Sequence, residues 1–75
     1  MAIREASWDS ARKVLRDERI RRRLSQDEAA ALVGRSRKWI SELEGGKADP
    51  GVAGVLALAK KLGITVRFEP AEDLA

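Results

Sequence analysis

Apolar positions recur at helical spacing in four segments of the chain, and a fifth segment alternates with the two-residue period of a strand. The first helix is predicted to begin near Trp8, with Ser7 as its capping residue. Residues 1–7 show no such pattern, and we expect them to form a flexible lead. The inward stripe of this helix is expected to contain Trp8, Ala11, Leu15 and Arg19.

Two shorter helices follow, and each has a recognisable start signal. Ser25 and Glu28 have the spacing of a capping box, in which each side chain binds the other residue's backbone. Gly34 is suited to end the helix that they open. Ser36 is predicted to cap a third helix over residues 37–44, which a pair of glycines then ends. The inward positions of the two helices are expected to be Ala29, Leu32, Val33, Ile40 and Leu43.

A fourth helix is predicted with Asp49 as its cap and Pro50 in its first turn. Gly51 and Gly54 are small residues that weaken this helix and permit close packing. Segment 64–69 then alternates apolar and polar side chains and is rich in β-branched residues, which predicts a strand. The apolar positions of the fourth helix are Val52, Val55, Leu56, Leu58, Ala59 and Leu62.

The predicted strand has no second strand to pair with in the same chain. Its unpaired backbone groups and the apolar side chains of Ile64, Val66 and Phe68 need covering. Pairing with the same strand of a second copy is favoured over folding back onto its own domain, so we expect a homodimer. The predicted fold is one mainly α domain, a bundle of four to five helices plus one C-terminal strand that pairs across the dimer, with residues 70–75 as a tail.

Charge and composition narrow the possible functions. Residues 1–48 contain 12 Lys/Arg and 8 Asp/Glu, a net of +4, whereas residues 49–75 contain 3 and 4, a net of −1. The basic part favours a polyanionic partner. The chain has no cysteine and no histidine, so we expect no disulfide, no cofactor or metal site, and no enzymatic activity. No segment is typical of a signal peptide or a membrane span, so we expect a cytoplasmic protein without membrane contact.

Residues 25–44 combine a short helix, a glycine-containing turn and a second short helix, which is the helix-turn-helix arrangement. Over residues 11–63 the chain resembles the Cro/cI (Xre) family. The resemblance implies a lambda-repressor-like bundle that binds double-stranded DNA. It also implies a structural salt bridge between Arg19 and Glu44 that holds the first helix against the recognition helix. The matching positions are Gln26, Ala29, Gly34, Ile40, Ser41 and Glu44.

The end of the chain makes the resemblance more specific. A last helix that ends in Lys60-Lys61-Leu62-Gly63 and is followed at once by a strand is similar to HipB-like antitoxins, as is the start of the third helix, Arg37-Lys38-Trp39. This similarity implies pairing of C-terminal strands across the dimer axis, repression of the protein's own operon, and binding of a HipA-like kinase toxin. The alternatives are a stand-alone Xre-type regulator and a module that chiefly neutralises a toxin.

A recognition helix presents the side chains of its N-terminal end to base edges in the major groove. Arg37 and Lys38 are donors suited to guanine, and Ser41 lies four residues after Arg37 on the same face. Glu42 is placed either to accept from cytosine or to pair with Lys38. These four residues are the predicted base contacts, and a two-fold dimer predicts a palindromic operator.

Contacts to the DNA backbone are expected from the start of the second helix and from nearby cations. Trp39 lies at the edge of the buried stripe and is expected either to pack against the protein or to contact the sugar–phosphate backbone. The predicted phosphate contacts are Arg22, Arg23, Ser25, Gln26, Arg35, Ser36, Trp39 and Lys47.

Overall fold

A computed structural model describes residues 8–46 and 51–67, and within them it contains four α-helices. They are α1 (Trp8–Arg21), α2 (Gln26–Leu32), α3 (Arg37–Gly45) and α4 (Val52–Lys61). The mainly α prediction is confirmed. The predicted lead over 1–7 and tail over 70–75 lie outside the described residues. None of the helices in the described ranges has the length and apolar character needed to cross a membrane.

The starts of α2 and α3 confirm the predicted capping signals. The Ser25 hydroxyl accepts a hydrogen bond from the Glu28 N–H at 3.0 Å, and the Ser25 N–H donates to the Glu28 carboxylate at 2.8 Å. The Ser36 hydroxyl accepts from the Trp39 N–H at 3.2 Å. These bonds satisfy backbone donors that the first turn of a helix leaves unpaired, so each helix begins where its cap lies.

The start of α4 differs from the prediction. Asp49 and Pro50 lie outside the described residues, but α4 begins at Val52, and its N-cap is Gly51, which makes no side-chain capping bond. Gly51 has φ +78° and ψ 135°. A helix cannot run through that backbone conformation, and only glycine adopts it at low cost. The assignment of Asp49 as the cap was therefore wrong by two residues.

Three of the helices end in the same backbone motif. A residue with positive φ follows each helix: Arg23 after α1 (φ 58°), Gly34 after α2 (φ 65°) and Gly63 after α4 (φ 71°). The next N–H then donates to the carbonyl five residues earlier, at 3.1, 2.9 and 2.8 Å respectively. This is the Schellman arrangement. Leu24 and Ile64, which follow two of these residues, are half-buried against the core.

The core lies where the four helices meet, with α3 packed against both α1 and α2, and α4 packed against α2. Leu32 was predicted to face inward, but it is 40% exposed, and Ala30 is buried in α2 instead. Val52 and Leu56 of α4 are also exposed, at 53% and 38%. The buried apolar side chains of the core are Leu15, Ala29, Ala30, Ile40, Leu43, Val55, Leu58, Ala59 and Leu62.

The segment after α4 is neither helical nor in a strand over residues 64–67. Ile64 packs against the protein's own core, whereas Val66 is 37% exposed. Phe68 lies outside the described residues. Within 8–46 and 51–67 no strand is present, so the predicted strand over 64–69 is not seen in this single chain.

Candidate nucleic-acid interface

Helix α3 has one buried face and one exposed face. Ile40 and Leu43 are 0% and 1% exposed and anchor the helix in the core. Arg37, Lys38 and Ser41 lie on the opposite side and are exposed. The two cations therefore stand at the N-terminal end of a rigid helix and point away from the domain, which is the position from which a recognition helix contacts base edges.

The cations near the start of α3 differ from those of α1 in their neighbours. On α1 the basic side chains pair with carboxylates of the same helix: Lys13 with Asp17 at 2.7 Å, and Arg21 and Arg22 with Glu18 at 2.5 and 2.8 Å. Arg12 pairs with Asp9 in the same way. On α1 most of the positive charge is thus compensated locally.

At the start of α3 this compensation is missing. In the described part of the chain no carboxylate lies within 4.0 Å of the charged atoms of Arg35, Arg37 or Lys38. The alternative in which Glu42 pairs with Lys38 is therefore not found, and Glu42 is half-buried beside the exposed face. Three uncompensated cations within four residues produce a local positive potential suited to a polyanion.

Glu44 connects three helices at the base of this surface. Arg19 donates to both of its carboxylate oxygens, Nε to Oε2 at 2.6 Å and Nη2 to Oε1 at 2.9 Å, and also donates through Nη1 to the Leu24 carbonyl at 2.8 Å. The pair is well covered, with 13% and 8% of the side chains exposed. The hydrogen bond to Glu44 raises the pKa of Arg19. The structure thus brings together the pair that the resemblance implied, and the bidentate bond orients α3 against α1.

The N-terminal end of α2 lies against the same carboxylate. Gln26 is half-buried and donates through Nε2 to Glu44 Oε1 at 3.2 Å. Its amide is therefore held in place by the protein. Ser25 and Glu28 are occupied by their capping box, and the hydrogen bond from the Ser25 backbone lowers the pKa of Glu28. The starts of α2 and α3 are in this way fixed relative to each other.

Trp39 packs against the protein. Its side chain is half-buried and lies against the core, and the Arg35 guanidinium stands 5.0 Å from the ring centroid. Gly54 of α4 lies directly beneath the ring, because a Cβ atom at that position would be 2.6 Å from Trp39 Cζ2. The sequence marked Gly54 as a site of close packing, but it gave no indication that Trp39 and Arg35 were the neighbours.

The remaining predicted phosphate contacts are Arg22 and Arg23, which follow α1, and Lys47. Arg22 is exposed and bound to Glu18, whose pKa is lowered to about 2 by hydrogen bonds from Arg21 and Arg22. Arg23 is exposed and has a left-handed backbone. Lys47 lies outside the described residues. Arg22 must therefore give up or share an ion pair before it binds a phosphate.

Helices α2 and α3 and the turn at Gly34 form a helix-turn-helix unit whose second helix exposes uncompensated cations, and this arrangement defines a DNA-binding protein. A family model described as a helix-turn-helix domain matches residues 12–67. The chain belongs to this family. No curated protein matches the chain closely enough to count as a relative.

Proposed function

We propose that the protein is a sequence-specific transcriptional repressor that binds a palindromic operator in double-stranded DNA as a homodimer. The observation that carries the proposal is the exposed N-terminal end of α3. There, Arg37 and Lys38 have no carboxylate neighbour in the described part of the chain, while Ile40 and Leu43 hold the helix rigidly in the core.

The side chains of α3 differ in chemistry, and each kind of side chain is assigned to its own kind of base contact. Arg37 and Lys38 donate to guanine O6 and N7, and Ser41 contacts a base on the same face. Glu42 accepts from cytosine N4 at the edge of this face, since it is not paired with Lys38. The operator half-sites would lie about one helical turn apart, ~34–36 Å, as a two-fold dimer requires.

Phosphate contacts fix the register of the helix in the groove. We assign them to residues on either side of the α2–α3 turn and to the C-terminal end of α1. The part of this set nearest the turn is the most rigid, because capping bonds and the Gln26–Glu44 bond hold it. The assigned residues are Arg22, Arg23, Ser25, Gln26, Arg35, Ser36 and Lys47.

A selection from random-sequence 30-base-pair duplexes tests sequence specificity and identifies the operator in the same experiment. The wild-type protein is expected to enrich a two-fold symmetric motif. On the enriched duplex, the Arg37→Ala/Lys38→Ala variant is expected to bind at least about 30-fold more weakly, because the loss of two base contacts at about 1–3 kcal/mol each costs about 2 kcal/mol or more. Fluorescence anisotropy measures the affinity, and a reporter placed behind the enriched site should be silenced by the wild-type protein only.

The matched control is Lys60→Ala/Lys61→Ala, which removes the same charge from exposed positions at the end of α4. That variant is expected to bind within a few-fold of the wild type. Equal losses of affinity for the enriched duplex in the two variants would show a non-specific charge effect. Unchanged affinity of the α3 variant would exclude α3 as the reading helix.

The antitoxin role is a narrower proposal that depends on the resemblance to HipB-like proteins. No contact within residues 8–46 or 51–67 supports the antitoxin role. If a HipA-like kinase is the partner, the Arg37→Ala/Lys38→Ala variant should bind the operator more weakly and still capture a purified HipA-like kinase in a pull-down. If the kinase and this protein do not bind each other, the proposed function is that of a stand-alone regulator.

A further inference from the structure

Arg35 is held in place by an aromatic ring and not by hydrogen bonds. Its guanidinium stands 5.0 Å from the centroid of Trp39, and its side chain donates to no acceptor in the described part of the chain. Arg19 is the contrasting case, because it uses three nitrogen atoms on protein oxygens at 2.6–2.9 Å. An arginine with a purely structural role is usually satisfied as Arg19 is.

A cation–aromatic contact leaves the hydrogen-bonding edge of the guanidinium unused. The ring takes up none of the five N–H donors of the group through an oxygen or nitrogen acceptor, so these donors stay available to a phosphate. Arg35 is exposed and directly precedes Ser36, the cap of α3. Its backbone is fixed as well, since its N–H donates to the Ala30 carbonyl at 2.9 Å. The result is an oriented donor fork at the N-terminal end of the recognition helix.

The ring itself is positioned by α4. A Cβ atom on Gly54 would lie 2.6 Å from Trp39 Cζ2, 3.2 Å from Cη2 and 3.3 Å from Arg35 Nη2. Any side chain at this position would therefore displace the ring and with it the guanidinium. Gly54 is buried in the interior of a helix, where glycine is less favourable than alanine. The close approach of Trp39 explains why it is tolerated there.

From these contacts we infer that Trp39 is a positioning residue, which with Gly54 orients the Arg35 guanidinium to bind a DNA backbone phosphate. The inference deepens the proposed function and assigns different roles to two residues that the sequence placed together among the phosphate contacts. Arg35 binds the phosphate, and Trp39 acts through Arg35. A bidentate guanidinium–phosphate contact is stronger and more directional than that of a mobile surface cation.

A double-mutant cycle on Arg35 and Trp39 tests the coupling. The probe is a mixed-sequence 30-base-pair duplex, whose binding requires only phosphate contacts. Arg35→Ala is expected to lower the slope of log affinity against log salt concentration by about 0.9. Trp39→Leu, which removes the ring face, is expected to weaken binding about two- to five-fold. Trp39→Phe should restore most of the loss, and Arg35→Ala/Trp39→Leu should bind no more weakly than Arg35→Ala.

The matched control is the same cycle with Arg37, which does not contact the ring. Arg37→Ala and Trp39→Leu are expected to have independent effects. All variants are measured well below their melting temperatures, so that a loss of stability does not enter the affinity. If Trp39→Leu does not fold, Gly54→Ala provides the second variant, since it displaces the ring and keeps both side chains.

The outcomes separate the inference from the proposed function. Independent effects of Arg35 and Trp39, or an unchanged salt slope in Arg35→Ala, would overturn the inference while leaving sequence-specific binding intact. A wild-type protein that enriches no motif but shows the coupling on mixed-sequence duplex would overturn sequence specificity and support the inference.

Discussion

At the scale of single residues, three arginines show how differently one side chain is used. Arg19 is nearly buried and binds a carboxylate and a carbonyl. Arg22, directly after α1, is exposed and pairs with Glu18 of that helix. Arg35 lies over the Trp39 ring, and its side chain donates to no acceptor within residues 8–46 and 51–67. Sequence alone places all three in the basic part of the chain, and their different roles depend on which neighbours the fold supplies.

Arg23 occupies a backbone position that favours glycine. It has φ 58° in the motif that ends α1, where Gly34 and Gly63 take the same place after α2 and α4. A left-handed conformation costs an ordinary residue roughly 1–2 kcal/mol, and glycine at this position would remove that cost. Because glycine also has more conformational freedom in the unfolded chain, part of this gain in stability is offset. We expect Arg23→Gly to raise the free energy of unfolding by about 0.5–1 kcal/mol in urea titrations.

Gly34→Ala provides the matched reverse change. A Cβ atom on Gly34 would meet no other atom within 4 Å, so only the backbone conformation opposes the alanine. We expect a loss of about 1 kcal/mol. If Arg23 binds a phosphate, Arg23→Gly will be more stable and will bind duplex DNA more weakly. A decrease in stability on Arg23→Gly would show that the side chain contributes contacts that outweigh its backbone strain.

At the scale of helices, the features that the sequence predicts best are those that local chemistry determines. The capping box at Ser25 and the cap at Ser36 need only residues three apart, so the starts of α2 and α3 are visible in the sequence. The start of α4 depends on the backbone of Gly51 in the preceding loop. No side-chain pattern reports that conformation, and the nearby Asp49 and Pro50 supplied a misleading signal.

Tertiary packing explains the other differences. Helix α2 has seven residues and packs against both α3 and α4. Two neighbouring helices, α3 and α4, therefore determine which residues of α2 are buried. The small Ala30 is covered, while the larger Leu32 remains 40% exposed. The contact of Trp39 with Gly54 joins residues on different helices. Spacing along one helix cannot reveal it, although the glycine within α4 marks the place.

The carboxyl group of Glu18, near the end of α1, makes the stability of the fold depend on pH. Hydrogen bonds from Arg21 and Arg22 lower the pKa of Glu18 from 4.5 to about 2. A carboxyl group with a lowered pKa in the folded state stabilises the fold above its unfolded pKa, and this contribution is lost as the pH falls from about 4.5 towards 2. Glu18 is half-buried but its partners Arg21 and Arg22 are exposed, so salt screening keeps the effect small.

We expect Glu18→Gln to flatten the acid side of the stability profile. Thermal melts of both proteins between neutral pH and about pH 2 should converge as the wild-type carboxyl group is protonated. The variant should retain some acid sensitivity, because the pKa of Glu28 is lowered in the same direction by Ser25. High salt should reduce the difference between the two proteins. Profiles that remain parallel down to the lowest pH would contradict the assignment of this ion pair.

At the scale of the whole molecule, a small apolar core is combined with apolar side chains that one chain leaves uncovered. Nine residues of the described ranges form the buried core, and chains of this length bury a comparatively small share of their surface. Ile64 is covered by its own domain, whereas Val66, two residues further on, is 37% exposed. The proposed pairing of two copies would cover Val66 and Phe68.

Phe68→Asp tests this proposal, since a charge in a paired apolar segment would be buried at high cost. We expect the variant to sediment as a monomer at concentrations where the wild type is a dimer. It should keep the circular dichroism of the helices, because the core that holds α1 to α4 together is formed by residues 15–62. Loss of the second subunit should weaken binding to a two-half-site duplex far more than to a single half-site, since the two recognition helices then no longer bind as one unit.

The control is Val52→Asp, which places the same charge on another exposed apolar residue, 53% exposed at the start of α4. An acidic residue there is favourable for the helix dipole, so α4 should remain intact and the dimer unchanged. If Val52→Asp dissociates the dimer and Phe68→Asp does not, the exposed face of α4 is the interface. The C-terminal segment would then have no part in pairing, and the spacing of the two recognition helices would be determined by α4.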